Sequence, residues 1–91
     1  MSLAQQMGNI GSELGRARRW EVKKDRKSRD AALIRALALL DLTLNDRRWH
    51  ARFRELARFR EVVSDWFTAS AAYDISPEVL EEYCTQFALH Q

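Results

Sequence analysis

Apolar residues near the start of the chain recur with the period of a helix. Leu3, Met7, Ile10, Leu14 and Ala17 alternate spacings of four and three, which places them on one face and predicts a first helix from about Ser2 to Lys24. Beside that stripe stand Gly8, Gly11 and Gly15. Each glycine costs about 1 kcal/mol relative to alanine inside a helix. Two readings fit: close approach of another helix, or a frayed N-terminus with order beginning near Ser12.

The polar run V-K-K-D-R-K-S, Val22 to Ser28, predicts a turn, with Asp25 and Ser28 as candidate N-caps. The second predicted helix, about Arg29 to Asn45, is apolar on nearly every side. Leu33, Leu37, Leu40 and Leu44 form one stripe, while Ala31, Ala38, Leu39 and Leu42 cover much of the rest. That coverage predicts a helix packed on several faces, at the centre of a bundle. Asp46 caps a third predicted helix that runs to about Ala69. S-A-A-Y-D-I-S reads as a loop, and Ser76-Pro77-Glu78 as a helix start: a cap hydroxyl, proline at the first position, an acid in the first turn. The fourth helix, to about Leu89, is expected to turn Val79, Leu80, Tyr83 and Phe87 inward and Glu78, Glu81, Glu82 and Thr85 outward.

One residue disturbs this pattern. Trp49, Phe53, Leu56, Val63 and Phe67 fall on one stripe of the third helix, and Arg60 falls in its middle. A buried guanidinium needs partners. Asp41, the one acid in the apolar Leu33–Leu44 run, is the leading candidate, and Glu13 on the glycine-bearing helix the second. Either pair would fix helix register; the alternative is an Arg60 that snorkels at the edge of the stripe. A second apolar stripe on the same helix, Phe59, Val62 and Trp66, exceeds what a single small core requires and marks a candidate partner surface.

Composition narrows the class. The 91 residues, 46% hydrophobic and 31% charged, describe one globular domain spanning 1–91, without internal repeat or linker. Cys84 is the single cysteine, so an internal disulfide is excluded and a reducing compartment is expected. No apolar run reaches the roughly 18 residues of a membrane span, and M-S-L-A-Q-Q-M-G lacks the basic start and apolar stretch of a signal peptide. The expectation is a cytoplasmic protein with no membrane partner.

The formal charge of +2 hides an asymmetry. All 15 Lys and Arg lie between Arg16 and Arg60, and the last third, from Glu61 onward, has six acids and no Lys or Arg. Arg18, Arg19, Lys23 and Lys24 crowd the end of the first helix, and Arg47, Arg48 and Arg52 the start of the third. These are the candidate nucleic-acid contacts, the two groups falling at opposite ends if helices one and two form a hairpin; the alternative is a solvated face balanced by the acidic last third. Trp20 and Trp49, near these clusters, suit either base stacking or the apolar stripes.

Catalytic signatures are sparse. His50, His90 and Cys84 are too few and too scattered for a zinc site, and the glycines precede no strand and end in no Lys-Ser/Thr, which excludes a phosphate loop. No metal or other cofactor is expected. The candidate enzyme site is acidic, a nuclease or nucleotide-handling centre on Glu13, Asp41, Arg60 and Asp65, with Glu61 and Asp65 four apart on one helical face; interleaved Arg58 favours ion pairing there over metal binding. The Arg separated from a following His by four to six intervening residues, which marks HEPN-type ribonucleases, is missing: those positions are Asn45, Leu44 and Thr43 before His50, and Thr85, Cys84 and Tyr83 before His90.

N-I-G-S-E (Asn9 to Glu13), Arg16-Ala17 with Trp20, R-A-L-A-L-L-D-L-T (Arg35 to Thr43), R-E-V (Arg60 to Val62), D-W-F (Asp65 to Phe67), Tyr73, Ser76 and Y-C-T-Q-F-A (Tyr83 to Ala88) together resemble a family of small uncharacterised prokaryotic all-helical proteins. Where those proteins tend to have a C-D-Y-F-like string, this chain has Ser64-Asp65-Trp66-Phe67, a departure that touches packing. The resemblance implies a compact helical domain and carries no assigned activity.

The expectation from sequence is therefore an all-α antiparallel bundle of four helices with helix two central. Its expected role is a non-enzymatic protein–protein interaction module, a homodimer or a subunit of a larger prokaryotic complex. The alternatives are a nucleic-acid-binding subunit of a bacterial defence or mobile-element complex, and the acidic enzyme site above.

Overall fold

The computed structural model describes residues 1–68 and 76–89, the last two by backbone alone. Among the described residues there are four α-helices, α1 (Leu3–Val22), α2 (Arg26–Leu44), α3 (Phe53–Thr68) and α4 (Pro77–Leu89), and a 3-10 helix (Arg47–Arg52) between α2 and α3, with no strand. The helices form a compact bundle, 37 × 23 × 19 Å. No described helix is long and apolar enough to cross a membrane. All but Ser76 of the S-A-A-Y-D-I-S segment lies outside the described residues.

α1 begins at Ser2, whose hydroxyl accepts from Gln5 N at 3.1 Å while Gln5 Oε1 accepts from Ser2 N at 2.8 Å, a reciprocal cap that satisfies two orphan donors. Order therefore starts well before Ser12, and the frayed-terminus reading does not hold. The whole predicted stripe, Leu3 to Ala17, is buried. α1 ends at a tight turn in which Lys24 takes a left-handed backbone, φ 60°. Asp25 then caps α2, its carboxylate accepting from Ser28 N and Ser28 Oγ at 3.0 Å each. Ser28 is thus a helical residue bonded to the cap, and α2 begins one turn earlier than the apolar pattern alone indicates.

The helices run antiparallel to their neighbours. Asp41 and Arg29 of α2 meet Arg60 and Trp66 of α3, and Gly11 and Gly15 of α1 meet Cys84 and Glu81 of α4. The core draws on all four helices, with Leu14 and Met7 from α1, Leu33 and Leu40 from α2, Leu56 and Val63 from α3, and Leu80 and Cys84 from α4.

α2 does not hold the centre alone. It packs on α1, α3 and the 3-10 helix, while α1 packs on both α2 and α4, so the α1–α2 hairpin is the shared middle. Leu33 and Leu40 are buried and Leu37, Leu39 and Leu44 lie against the core, but Ala31, Ile34, Ala38 and Leu42 face outward. The all-round apolar pattern therefore reflects a core face plus a bare face.

The third helix departs from its predicted phase. Asp46 does act as a cap, accepting from Arg48 N at 3.0 Å, but the helix it opens is the 3-10 segment, and Trp49 has non-helical backbone angles, φ −107° and ψ 20°. This kink takes Trp49 out of register with α3. The buried face of α3 is Leu56, Phe59, Val62 and Val63, with Trp66 half-buried beside it; Phe53 is 44% exposed. Arg60 lies about 100° from the middle of that face, at its edge. In α4, Leu80 and Cys84 are buried and Val79 is exposed, against the inward position expected for Val79.

Candidate interaction site

The outward face of α2 carries an exposed apolar row. Ala31, Ile34, Ala38 and Leu42, spaced three, four and four, stand in one row; Ile34 is 55% and Leu42 70% exposed. Arg35 flanks the row toward α1, where its Nε donates to Glu13 Oε2 at 2.8 Å, and Asp41 flanks it toward α3, where Arg60 donates to it at 2.6 and 3.2 Å. Side-chain bonds to neighbouring helices thus hold both edges of the row.

These contacts place the candidate ion-pair residues. Glu13 is buried between two arginines, Arg35 and Arg16, and so clamps α1 to α2. Arg60 pairs with Asp41 rather than Glu13, and the pair sits at the surface, with the two side chains 35% and 52% exposed, so it is not a buried pair. Arg35 and Asp41 are six residues apart on α2, roughly 9 Å along the axis and on opposite flanks. Glu13 and Asp41 therefore belong to separate pairs instead of converging on one acidic centre. Asp65 is half-buried, and no group of three metal-ligating side chains occurs among the described residues.

The buried guanidinium of this protein is Arg29. Its side chain is 8% exposed, and its Nε donates to Glu21 Oε1 at 3.1 Å, Nη1 to Asp30 Oδ1 at 2.8 Å and Nη2 to the Trp66 carbonyl at 2.7 Å. Its guanidinium also lies over the Trp66 ring, 5.7 Å from the centroid, while Trp66 Nε1 donates to the same Glu21 oxygen at 3.0 Å. One side chain thereby ties α1, α2 and α3 together.

Phe59, Val62 and Trp66 cannot serve as the expected open partner stripe, because the chain uses them itself. Phe59 and Val62 are 6% and 8% exposed, and Trp66 is engaged by Arg29 and Glu21. Phe59 stacks on Tyr83 at 4.7 Å, and Tyr83 meets Phe87 edge-on at 5.2 Å. Between α3 and α4 there remains an open apolar hollow of about 300 Å³, lined by Phe59, Val62, Val79, Leu80 and Tyr83 with Glu55 and Arg58 at its rim.

Tyr83 closes one end of that seam by donating its hydroxyl to Glu55 Oε1, while Arg52 donates to the same carboxylate at 3.0 and 3.1 Å and covers the Phe87 ring at 4.4 Å. The Tyr83 bond first, and Arg52 after it, hold the Glu55 carboxyl below its usual range against the opposing push of partial burial. Burial, then Glu55, pushes the Tyr83 hydroxyl up. A carboxylate depressed in the folded state contributes stability that is complete above its unfolded pKa and lost as the pH falls through the lower, folded value. Tyr83→Phe should lower the melting temperature at neutral pH, and its gap from the parent should shrink as the pH drops from about 6 to about 3. A gap constant over that range would show that Glu55 contributes nothing through this bond.

The basic residues divide as follows. Arg48 is bound to Asp46 at 2.7 to 3.2 Å, donates to the Met1 carbonyl at 2.8 Å and covers Trp49 at 4.8 Å. Arg52 is bound to Glu55, and Arg18 Nε donates to Glu81 Oε2 at 2.9 Å. Arg19, Lys23, Lys24 and Arg47 are exposed. Trp49 Nε1 donates to Gln6 near the start of α1, whereas Lys23 and Lys24 follow its end, so the two basic groups lie at opposite ends of α1 and form no continuous stripe.

Cys84 is buried against Gly11, and burial, with Glu81 adding, pushes its thiol up to about 12, which keeps it protonated and unreactive at neutral pH. The sequence passed over Arg29 because it closes a run of surface cations, yet a signal was present: Arg29, Leu33, Ala36 and Leu40 share one face of α2. Comparison with protein-family models, curated proteins and solved structures gives no match to this chain.

Proposed function

We propose that this protein is a non-enzymatic interaction module that offers the outer face of α2 to an apolar surface of a protein partner, as one subunit of a larger assembly or as a weak homodimer. The supporting observation is the row Ala31, Ile34, Ala38 and Leu42, exposed along a helix whose opposite face is core. An apolar row with two large side chains left in water, in a bundle that buries Phe59 and Val62, is the pattern expected of a docking surface. Ala38, between Ile34 and Leu42, would let a second helix approach closely and seat a side chain between the two larger ones. A stable interface buries about 800 Å² per partner. Four residues on one helix supply less than that, which favours one contact within a wider surface over an isolated α2–α2 dimer.

The acidic-site reading has less support, since Glu13 and Asp41 are each engaged by arginines in separate pairs. Ile34→Glu with Leu42→Glu should abolish self-association and release any co-purifying protein partner, while leaving the melting temperature within a few degrees, because neither side chain contributes to the core. Sedimentation of parent and double variant at high concentration, with parallel affinity purification, measures both. A parent that is strictly monomeric, with the same retained proteins as the double variant, would end the proposal.

A further inference from the structure

The α1–α2 turn carries a second surface, different in chemistry from the α2 row. Lys23, Lys24, Arg26 and Lys27 lie within five residues there, all exposed. The acids of the same turn are engaged by partners within the chain: Glu21 is held by Arg29 and Trp66, Asp25 by Ser28, and Asp30 by Arg29, with Arg26 reaching Asp30 only at 4.0 Å. The tip therefore presents four exposed cations, while each of its carboxylates already has a hydrogen-bond partner within the chain. Lys24 and Arg26, with Glu21 and Arg29, border an open hollow of about 300 Å³.

Two local choices at this tip work against stability. Lys24 has a left-handed backbone, φ 60°, where glycine or asparagine is the low-energy residue. Arg26 and Lys27 occupy the first turn of α2, where positive charge opposes the helix dipole. Asp25 already caps that helix end, so the feature to explain is the side-chain charge and not the exposed amides. Locally unfavourable residues that gather in one place and share one sign are expected where an external partner compensates them.

We propose that the α1–α2 turn is a sequence-independent contact for the phosphodiester backbone of nucleic acid, made by Lys23, Lys24, Arg26 and Lys27. Three of the four are lysines, point charges on flexible stems that suit phosphates and carry no planar fork for base edges; Arg26 alone has one. A membrane surface is the less suitable polyanion. Val22 is the one exposed large apolar side chain within this turn, and Trp20, which would anchor it, is half-buried with Lys23 over its ring at 5.2 Å.

The test is fluorescence anisotropy with labelled duplexes of about 20 base pairs in two unrelated sequences. For four neutralised phosphates the log–log salt slope is about −3.6, so affinity should fall on the order of 10²-fold between about 50 and 200 mM salt, equally for both sequences. A variant combining Lys24→Gly, Arg26→Ala and Lys27→Ala should weaken binding more than tenfold at low salt and flatten the slope by nearly 3, the glycine removing charge without backbone strain. Arg47→Ala, Arg54→Ala and Arg58→Ala together remove the same charge away from the tip and should leave the slope unchanged. Thermal melts identify any variant that has unfolded; the single surface change Lys27→Glu then provides the same test with a slope loss near 1. The proposal is overturned by absence of salt-dependent binding, by equal losses in the two triple variants, or by binding to phosphatidylserine vesicles in place of the oligonucleotides.

Discussion

Replacing Arg29 with Ala is expected to cost about 3 kcal/mol, whereas replacing Arg60 with Ala should cost less than about 1 kcal/mol. Both arginines pair with carboxylates on other helices, so a count of salt bridges would rank them alike. Burial separates them. Arg29 is 8% exposed, and its loss leaves the Trp66 carbonyl and the Asp30 carboxylate without their buried donor and opens space among α1, α2 and α3. Arg60 and Asp41 can each turn into water, and their pair replaces hydration already available to both. A domain of this size is stable by only about 5–15 kcal/mol, so the Arg29 variant should melt roughly 15 °C lower. Chemical denaturation of the two variants beside the parent measures the difference. Equal, small losses would mean that Arg29 gains no more from its three partners than a surface arginine gains from one. Glu21→Gln provides an internal comparison: it keeps a hydrogen-bond acceptor for Trp66 but removes the charge facing Arg29, so its loss should fall between the other two.

The contrast between these arginines also shows where sequence reasoning succeeds in this protein. α1 was legible because its determinants are local: the Ser2 cap, the Leu3 to Ala17 stripe and the glycines all lie within one helix whose period is uninterrupted. α3 was misphased because a periodic argument started at Trp49 assumes helical geometry from there onward, and the 3-10 turn breaks that assumption before Phe53. The shift moves Arg60 from the middle of the apolar face to its edge and brings Phe59, Val62 and Trp66 from an imagined outer stripe onto the core side. Arg60 and Asp41 nevertheless bond to each other, since both lie on facing edges of α2 and α3. The bare face of α2 could not be read in advance. Apolar residues on all sides indicate several neighbours only if neighbours exist, and which faces they cover depends on helix directions that one helix's sequence does not contain.

Placing a methyl group at Gly11 should destabilise the protein, whereas the same change at Gly8 should stabilise it by up to about 1 kcal/mol. Alanine is the better helix former at both positions, so propensity alone gives one sign. Packing reverses it at one of them. A Cβ on Gly11 would lie 2.8 Å from Cys84 Cβ, a separation real atoms do not adopt, while a Cβ on Gly8 would meet nothing within 4 Å. The atom in the way is the root of the Cys84 side chain, so no rotamer change relieves the clash and α4 must move away from α1. Overpacking of this kind costs about 1–3 kcal/mol, enough to cancel the propensity gain and leave a net loss near 1 kcal/mol for Gly11→Ala. Gly11→Val should lose more, since its branched methyls would also press on α4. The geometry further dictates which second change can help. Cys84→Ala keeps the offending Cβ and should not restore Gly11→Ala, whereas Cys84→Gly removes it and should restore the close approach, at a helix-propensity cost of its own of about 1 kcal/mol. Melting curves of these single and double variants form one cycle. Rescue by Cys84→Ala would place the conflict at the thiol instead of the Cβ, and a stabilised Gly11→Ala would show that α1 and α4 are not held at this distance.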